Sequence, residues 1–79
     1  MTTTQFFSEL ESIVEAPVGS IRGAESLRDL DGLGWNSLAV ITFIAMVDEK
    51  LGLSLSADDL AKCKSVPDLR ELVAAKLTS

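Results

Sequence analysis

Seventy-nine residues with a net charge of −5 make one compact domain with a single core, expected to span 1–79, with no room for a deep cleft between lobes. The acidic balance argues against nucleic acid, which calls for a basic stripe, and against an anionic membrane surface. It fits basic partner proteins, although acidity can also serve solubility alone.

Taken in chain order, the first helix is expected from about Thr4 to Ala16. Phe6, Leu10, Ile13 and Val14 recur at helical spacing, with Glu9, Glu11 and Glu15 on the other face. Pro17 and Gly19 end it. Residues 17–36 form a long connection whose glycines disfavour a stable helix. Leu27, Leu30, Leu33 and Trp35 punctuate it and would pin it to the core, with a short helical turn around Ser26–Leu30. A connection of this length in a compact domain is often functional.

The second helix is expected from Ser37 to Gly52. Asn36 is a suitable N-cap and Gly52 a suitable stop. Val40, Ile44, Val47 and Leu51, joined by Phe43, form the expected core stripe. A third, short helix fits Ser56 to Lys62, with Asp59 in a capping-box position. The fourth starts after Ser65, with Pro67 in its first turn and Leu69, Leu72, Val73 and Leu77 on its buried face. The fold class is therefore all-α: a four-helix bundle with a long first loop and a short third helix.

The chemistry available is narrow. There is no His, no Tyr and a single cysteine, Cys63. A structural zinc site, an intrachain disulfide and a His-activated nucleophile are all excluded, so no metal and no catalytic residue are expected. No phosphate-binding glycine loop is present. The amino-terminal residues lack a signal peptide's basic start and apolar run, and no stretch is long enough to span a membrane. A cytoplasmic protein without membrane insertion is expected. One constellation remains, Leu33-Gly34-Trp35-Asn36-Ser37-Leu38. It puts a serine hydroxyl at a helix N-terminus, where free N–H groups and the helix dipole favour a phosphodiester. Spacing alone does not separate this from an ordinary capping pair.

The pattern resembles the acyl carrier protein family over most of the chain. In that family Gly-X-Asp-Ser-Leu opens the second helix, and Gly34-Trp35-Asn36-Ser37-Leu38 stands at the matching place. Val47-Asp48-Glu49-Lys50-Leu51-Gly52 is similar to the end of that helix, and Leu53-Ser54-Leu55-Ser56 to the approach to the third. Ser65-Val66-Pro67-Asp68-Leu69 is similar to the start of the fourth. The resemblance implies a carrier with no catalysis of its own, bearing phosphopantetheine on Ser37. A phosphopantetheinyl transferase would install the arm from coenzyme A, with Gly34, Asn36 and Leu38 completing the attachment motif. Acyl-activating and acyl-transferring enzymes would then load and use it, and a monomer is expected. The acyl group and the pathway stay open among fatty acid, polyketide, peptide and glycolipid.

Two departures stand out. Asn36 replaces the family's Asp, which keeps the cap but drops a charge that its transferases recognise. Loss of modification would leave an unmodified helical interaction module. On the outer face of the second helix, Ala39 and Thr42 stand where the family has acids, and Met46 adds apolar surface. Trp35, Leu38, Ala39, Thr42, Met46, Asp48 and Glu49 are the expected partner-binding residues, with a more apolar contact than is usual in the family. Ala39 and Met46 have a second reading, in which the long loop covers them. Trp35 has one too, as an anchor of the loop on the core.

Overall fold

The computed structural model describes residues 1–29 and 35–78. Gly34, Leu30 and Leu33 fall outside the described residues. The chain forms four helices, α1 (Thr3–Val14), α2 (Ser37–Leu51), α3 (Ala57–Ala61) and α4 (Val66–Val73). A 3-10 turn at Leu27–Asp29 lies between α1 and α2 and another at Ala74–Lys76 follows α4, and among the described residues there is no strand. The all-α reading holds.

Each helix begins at a polar cap. At α1 the Gln5 N–H donates to Thr2 Oγ1 and the Thr2 N–H donates back to Gln5 Oε1. This box starts the helix one residue earlier than the periodicity suggests. Its end also comes early. Glu15 sits in the left-handed region at φ 57°, and Pro17 keeps Ala16 from continuing the helix. At α3, Ser56 and Asp59 form the expected reciprocal box. At α4, Ser65 Oγ accepts from the Asp68 N–H, with Pro67 in the first turn. At the end of α2, Gly52 takes φ 69° and its N–H donates to the Asp48 carbonyl, a left-handed stop that costs a glycine little.

The core joins Phe6, Leu10 and Val14 of α1, Phe43 and Val47 of α2, Leu60 of α3, and Val66, Leu69 and Val73 of α4. Phe43 lies at its centre. Its ring centroid lies 5.8 Å from that of Phe6 and 5.7 Å from that of Trp35, in near-perpendicular arrangements that suit aromatic quadrupoles. Lys50 pairs with Glu9, linking the far end of α2 to α1.

Two faces differ from the periodic reading. The buried face of α2 runs through Ala39, Phe43, Met46 and Val47, whereas Val40, Ile44 and Leu51 are only partly buried. The helix is turned by roughly 70° from the expected stripe, at about 100° per residue. A helix that is apolar nearly all round gives periodicity little to choose between. Glu11, expected on the polar face of α1, is buried at 4% exposure. Its carboxylate accepts the Ile21 N–H at 2.9 Å, which satisfies a loop amide that would otherwise be buried unpaired.

Further tethers fix the long connection. The Glu25 carboxylate accepts N–H groups from Arg22, Gly23 and Ala24. The Leu27 N–H donates to the Lys64 carbonyl at 3.0 Å, and the Val66 N–H to the Glu25 carbonyl at 2.8 Å. These two bonds form an antiparallel bridge between Ser26 and Ser65. The bridge binds the loop to the α3–α4 link, and Ile21 and Leu27 enter the core behind it.

Candidate functional site

Ser37 is the first residue of α2 and is exposed. Asn36 before it has extended backbone, and its Oδ1 accepts the Ala39 N–H at 2.9 Å. The Asn36 carbonyl accepts the Val40 N–H at 3.0 Å. The N–H groups of Ser37 and Leu38 belong to the first turn, which has no intrahelical acceptor. They face outward with the positive end of the helix dipole. The Ser37 hydroxyl thus stands where an attached phosphodiester is favoured. Trp35 holds the entry from behind. It is half-buried, packs on Phe43, and lines a cleft of about 380 Å³ with Ser26, Leu27, Arg28, Cys63 and Lys64.

Ser37 has no ionisable residue within five positions on either side in the sequence that could activate it. No ionisable side chain occurs in the sequence between Asp31 and Asp48. Asp48 lies three helical turns on, roughly 16 Å along the axis. The Cys63 thiol donates to the Asp59 carbonyl, and burial pushes its pKa up, with Asp68 and Asp59 adding to the effect. A raised thiol pKa means little thiolate and low reactivity. Among the described residues no cluster of metal-ligating side chains exists, and no helix is long and apolar enough to cross a membrane.

Of the expected partner-binding residues, Leu38, Thr42, Asp48 and Glu49 are exposed together on the outer face of α2. Thr42 donates its hydroxyl to the Leu38 carbonyl. Ala39 and Met46 are not part of that face. They are 3% and 7% exposed and belong to the core, because they share the helix face of Phe43. The outer face holds Ile41 and Ala45 instead. The spacing 38, 41, 45 is itself helical, and would have shown them once the core face was placed correctly.

The chain matches the phosphopantetheine attachment site family over residues 4–73. It belongs to that family. Members hold a group for enzymes that act on it, so this carrier domain is not itself an enzyme, and covalent phosphopantetheine is its cofactor. An exposed hydroxyl on a capped helix N-terminus fits that group. The carrier domain is similar to the acyl carrier protein MbtL of Mycobacterium sp. (strain MCS), 33% identical over 52 residues, 66% of this chain and 58% of the relative. The acyl carrier protein MbtL of Mycolicibacterium paratuberculosis is 33% identical over 49 residues, 62% of this chain and 55% of that relative. The carrier domain thus spans a little over half the length of each. No solved structure matches it.

Proposed function

We propose that Ser37 carries the phosphopantetheine arm, and that the arm's thiol holds acyl groups as thioesters for acyl-activating and acyl-transferring enzymes. The observation that carries this reading is the exposure of Ser37 at the capped first position of α2, within a chain of the phosphopantetheine attachment family. Coenzyme A is the donor: Ser37 Oγ forms a bond to the phosphorus that bears the pantetheine, and the pyrophosphate bond to the adenosine half breaks. Asp48, the first ionisable side chain after Ser37, is about 16 Å away along α2. With no ionisable residue within five positions of Ser37 in the sequence, the base that removes the hydroxyl proton is assigned to the phosphopantetheinyl transferase. The carrier contributes an exposed hydroxyl and a helix dipole that favours the product phosphodiester.

Asn36 favours a second reading, an interaction module that is never modified. It keeps the capping bond to the Ala39 N–H but brings no charge beside Ser37. Intact mass after incubation with coenzyme A and a broad-specificity transferase separates the two. A gain of one phosphopantetheine in the wild type and none in Ser37→Ala establishes the carrier. No gain in the wild type or in Asn36→Asp leaves the module. A gain only in Asn36→Asp identifies the asparagine as the change that withholds modification.

A further inference from the structure

Asn36, Ser37 and Leu38 are all exposed, so none of their side chains ties the start of α2 to the core. The first side chains that reach inward on either side are Trp35, half-buried, and Ala39, buried. Ser37 therefore sits on a short exposed segment held at these two ends. The Ala39 end is held within the helix, where the Ala39 N–H donates to Asn36 Oδ1 and the Val40 N–H to the Asn36 carbonyl. The Trp35 end is held by ring packing. Its indole lies on Phe43 with planes at 76°, and Phe43 is clamped from another side by Phe6 at 81°. Phe6 and Phe43 are both fully buried, and Phe7 lies beyond Phe6 with centroids 6.1 Å apart. The four aromatic side chains of the sequence thus form one continuous set of contacts that ends at Trp35. Rings packed at core density give way together or not at all. Helix ends fray, and the first-turn N–H groups of Ser37 and Leu38 have no intrahelical acceptor. The indole is what keeps this entry to α2 closed against the core.

We infer that Trp35 is a positioning residue for the modification of Ser37: with its indole resting on Phe43, it holds the Ser37 hydroxyl in place for transfer without touching the reacting atoms. This inference rests on Ser37 being the attachment residue. The bond from Ser37 Oγ to phosphorus forms roughly in line with the pyrophosphate bond that breaks, and a misplacement of about 1 Å can cost about a hundredfold in rate. A phenyl ring at position 35 can meet Phe43 in the same edge-on manner. A leucine keeps only part of that contact, and an alanine leaves the entry free to swing. The rest of α2 stays docked through Phe43, Met46 and Val47. The loss therefore falls on the transfer step and not on binding of the transferase.

The test is single-turnover modification by an excess of a broad-specificity phosphopantetheinyl transferase with coenzyme A, followed by intact mass. It reads the rate at saturating transferase and, separately, the transferase concentration that gives half that rate. Wild type, Trp35→Phe, Trp35→Leu, Trp35→Ala and Val14→Ala are compared. Val14 is fully buried and lies beyond Glu9, the partner of Lys50 at the far end of α2, so Val14→Ala weakens the core away from Ser37. Trp35→Ala is expected to lower the saturating rate about tenfold and Trp35→Leu about threefold, with Trp35→Phe within about twofold of the wild type. Half-saturation should not change, and Val14→Ala should keep the wild-type rate. Thermal unfolding verifies that each variant is folded at the assay temperature; should Trp35→Ala unfold, Trp35→Leu carries the test. A wild-type rate in the folded Ala and Leu variants, or an equal fall in Val14→Ala, would reduce Trp35 to a structural residue and overturn the inference. A Trp35→Phe as slow as Trp35→Ala would remove ring packing as the cause, and a raised half-saturation at an unchanged rate would make Trp35 a contact for the transferase; either also overturns it. All of these leave Ser37 as the attachment site, whereas a wild type that gains no mass overturns the attachment reading and the inference with it.

Discussion

Asn36 links the fold to the function, and its two simplest replacements test both. Asn36→Ala removes the acceptor of the Ala39 N–H, a 2.9 Å bond in a partly buried setting. Ala39 itself is 3% exposed, so its amide finds water poorly once the cap is gone. Loss of such a cap costs about 1–2 kcal/mol. For a domain of this size about 1 kcal/mol moves the unfolding midpoint by roughly 4–8 °C, so a fall of about 5–15 °C is expected. Asn36→Asp keeps an acceptor oxygen and adds a negative charge at the positive end of the dipole, a gain of about 0.3–1 kcal/mol at low ionic strength. Its midpoint should rise by roughly 2–6 °C at pH 7, and the rise should vanish in acid, where the carboxylate protonates. Circular dichroism follows the helices, and fluorescence of Trp35, the sole tryptophan in a chain without tyrosine, reports on the entry to α2. A wild-type midpoint in Asn36→Ala would falsify the claim that this bond starts the helix. An Asp variant no more stable than the wild type at low salt would remove the dipole from the account of why a phosphodiester is favoured on Ser37.

Two further outcomes follow from the loop and the caps. Gly23 has φ 110°, and a Cβ there would stand 2.7 Å from Phe7 Cζ. Gly23→Ala combines a disfavoured backbone with an overpacked ring and should cost about 2–4 kcal/mol, read as a lower denaturant midpoint with an unchanged slope; an unchanged midpoint would show that the loop accepts another course. Acid should also weaken the fold. Burial pushes the Glu25 carboxyl up, but the N–H groups of Arg22, Gly23 and Ala24 outweigh that and hold it below the usual carboxylate range. Asp59 is lowered by the Ser56 N–H and hydroxyl, and Asp68 chiefly by the Lys64 N–H. Lowered folded-state values mean that the unfolded chain takes up protons first as pH falls. The stabilisation is complete at neutral pH and fades from about pH 5 downward through the lowered values. An unfolding midpoint that stays flat from pH 6 to about pH 3 would contradict this.

The sequence disclosed caps better than faces. Asn36, Ser56 with Asp59, Ser65 with Pro67, and Gly52 act through bonds within a few residues of themselves, so local chemistry settles their roles. The buried side of α2 depends on contacts from Phe6 and Trp35, which lie far from Phe43 in the chain or beyond any periodic pattern. A helix with apolar residues on nearly every side does not announce its inward face, so Ala39 and Met46 read equally well as outer contacts or as residues covered by the long loop. Glu11 illustrates the same limit. A glutamate on an amphipathic helix reads as solvated, and nothing local reveals that Ile21 brings a loop amide to its carboxylate. The Ser26–Ser65 bridge joins residues whose side chains carry no pairing signal, since both of its hydrogen bonds are made by the backbone.

The net charge of −5 suggests a carrier that draws basic partners by its field, yet the positions of the acids weaken that view at Ser37. Glu9 is paired with Lys50. Glu11 is buried on a loop amide, and Glu25, Asp59 and Asp68 have their carboxylates engaged with backbone N–H groups. They remain in the net charge, but their oxygens are already committed. Asp48, the first acid after Ser37 along α2, is about 16 Å from it along the axis. The Debye length near physiological salt is about 8 Å, so a group approaching Ser37 feels that charge weakly. Leu38 and Ile41 are exposed beyond Ser37 on the same helix. The charge that composition reports therefore bears on solubility and on first encounter, whereas the α2 sequence from Ser37 to Val47 carries no ionisable side chain.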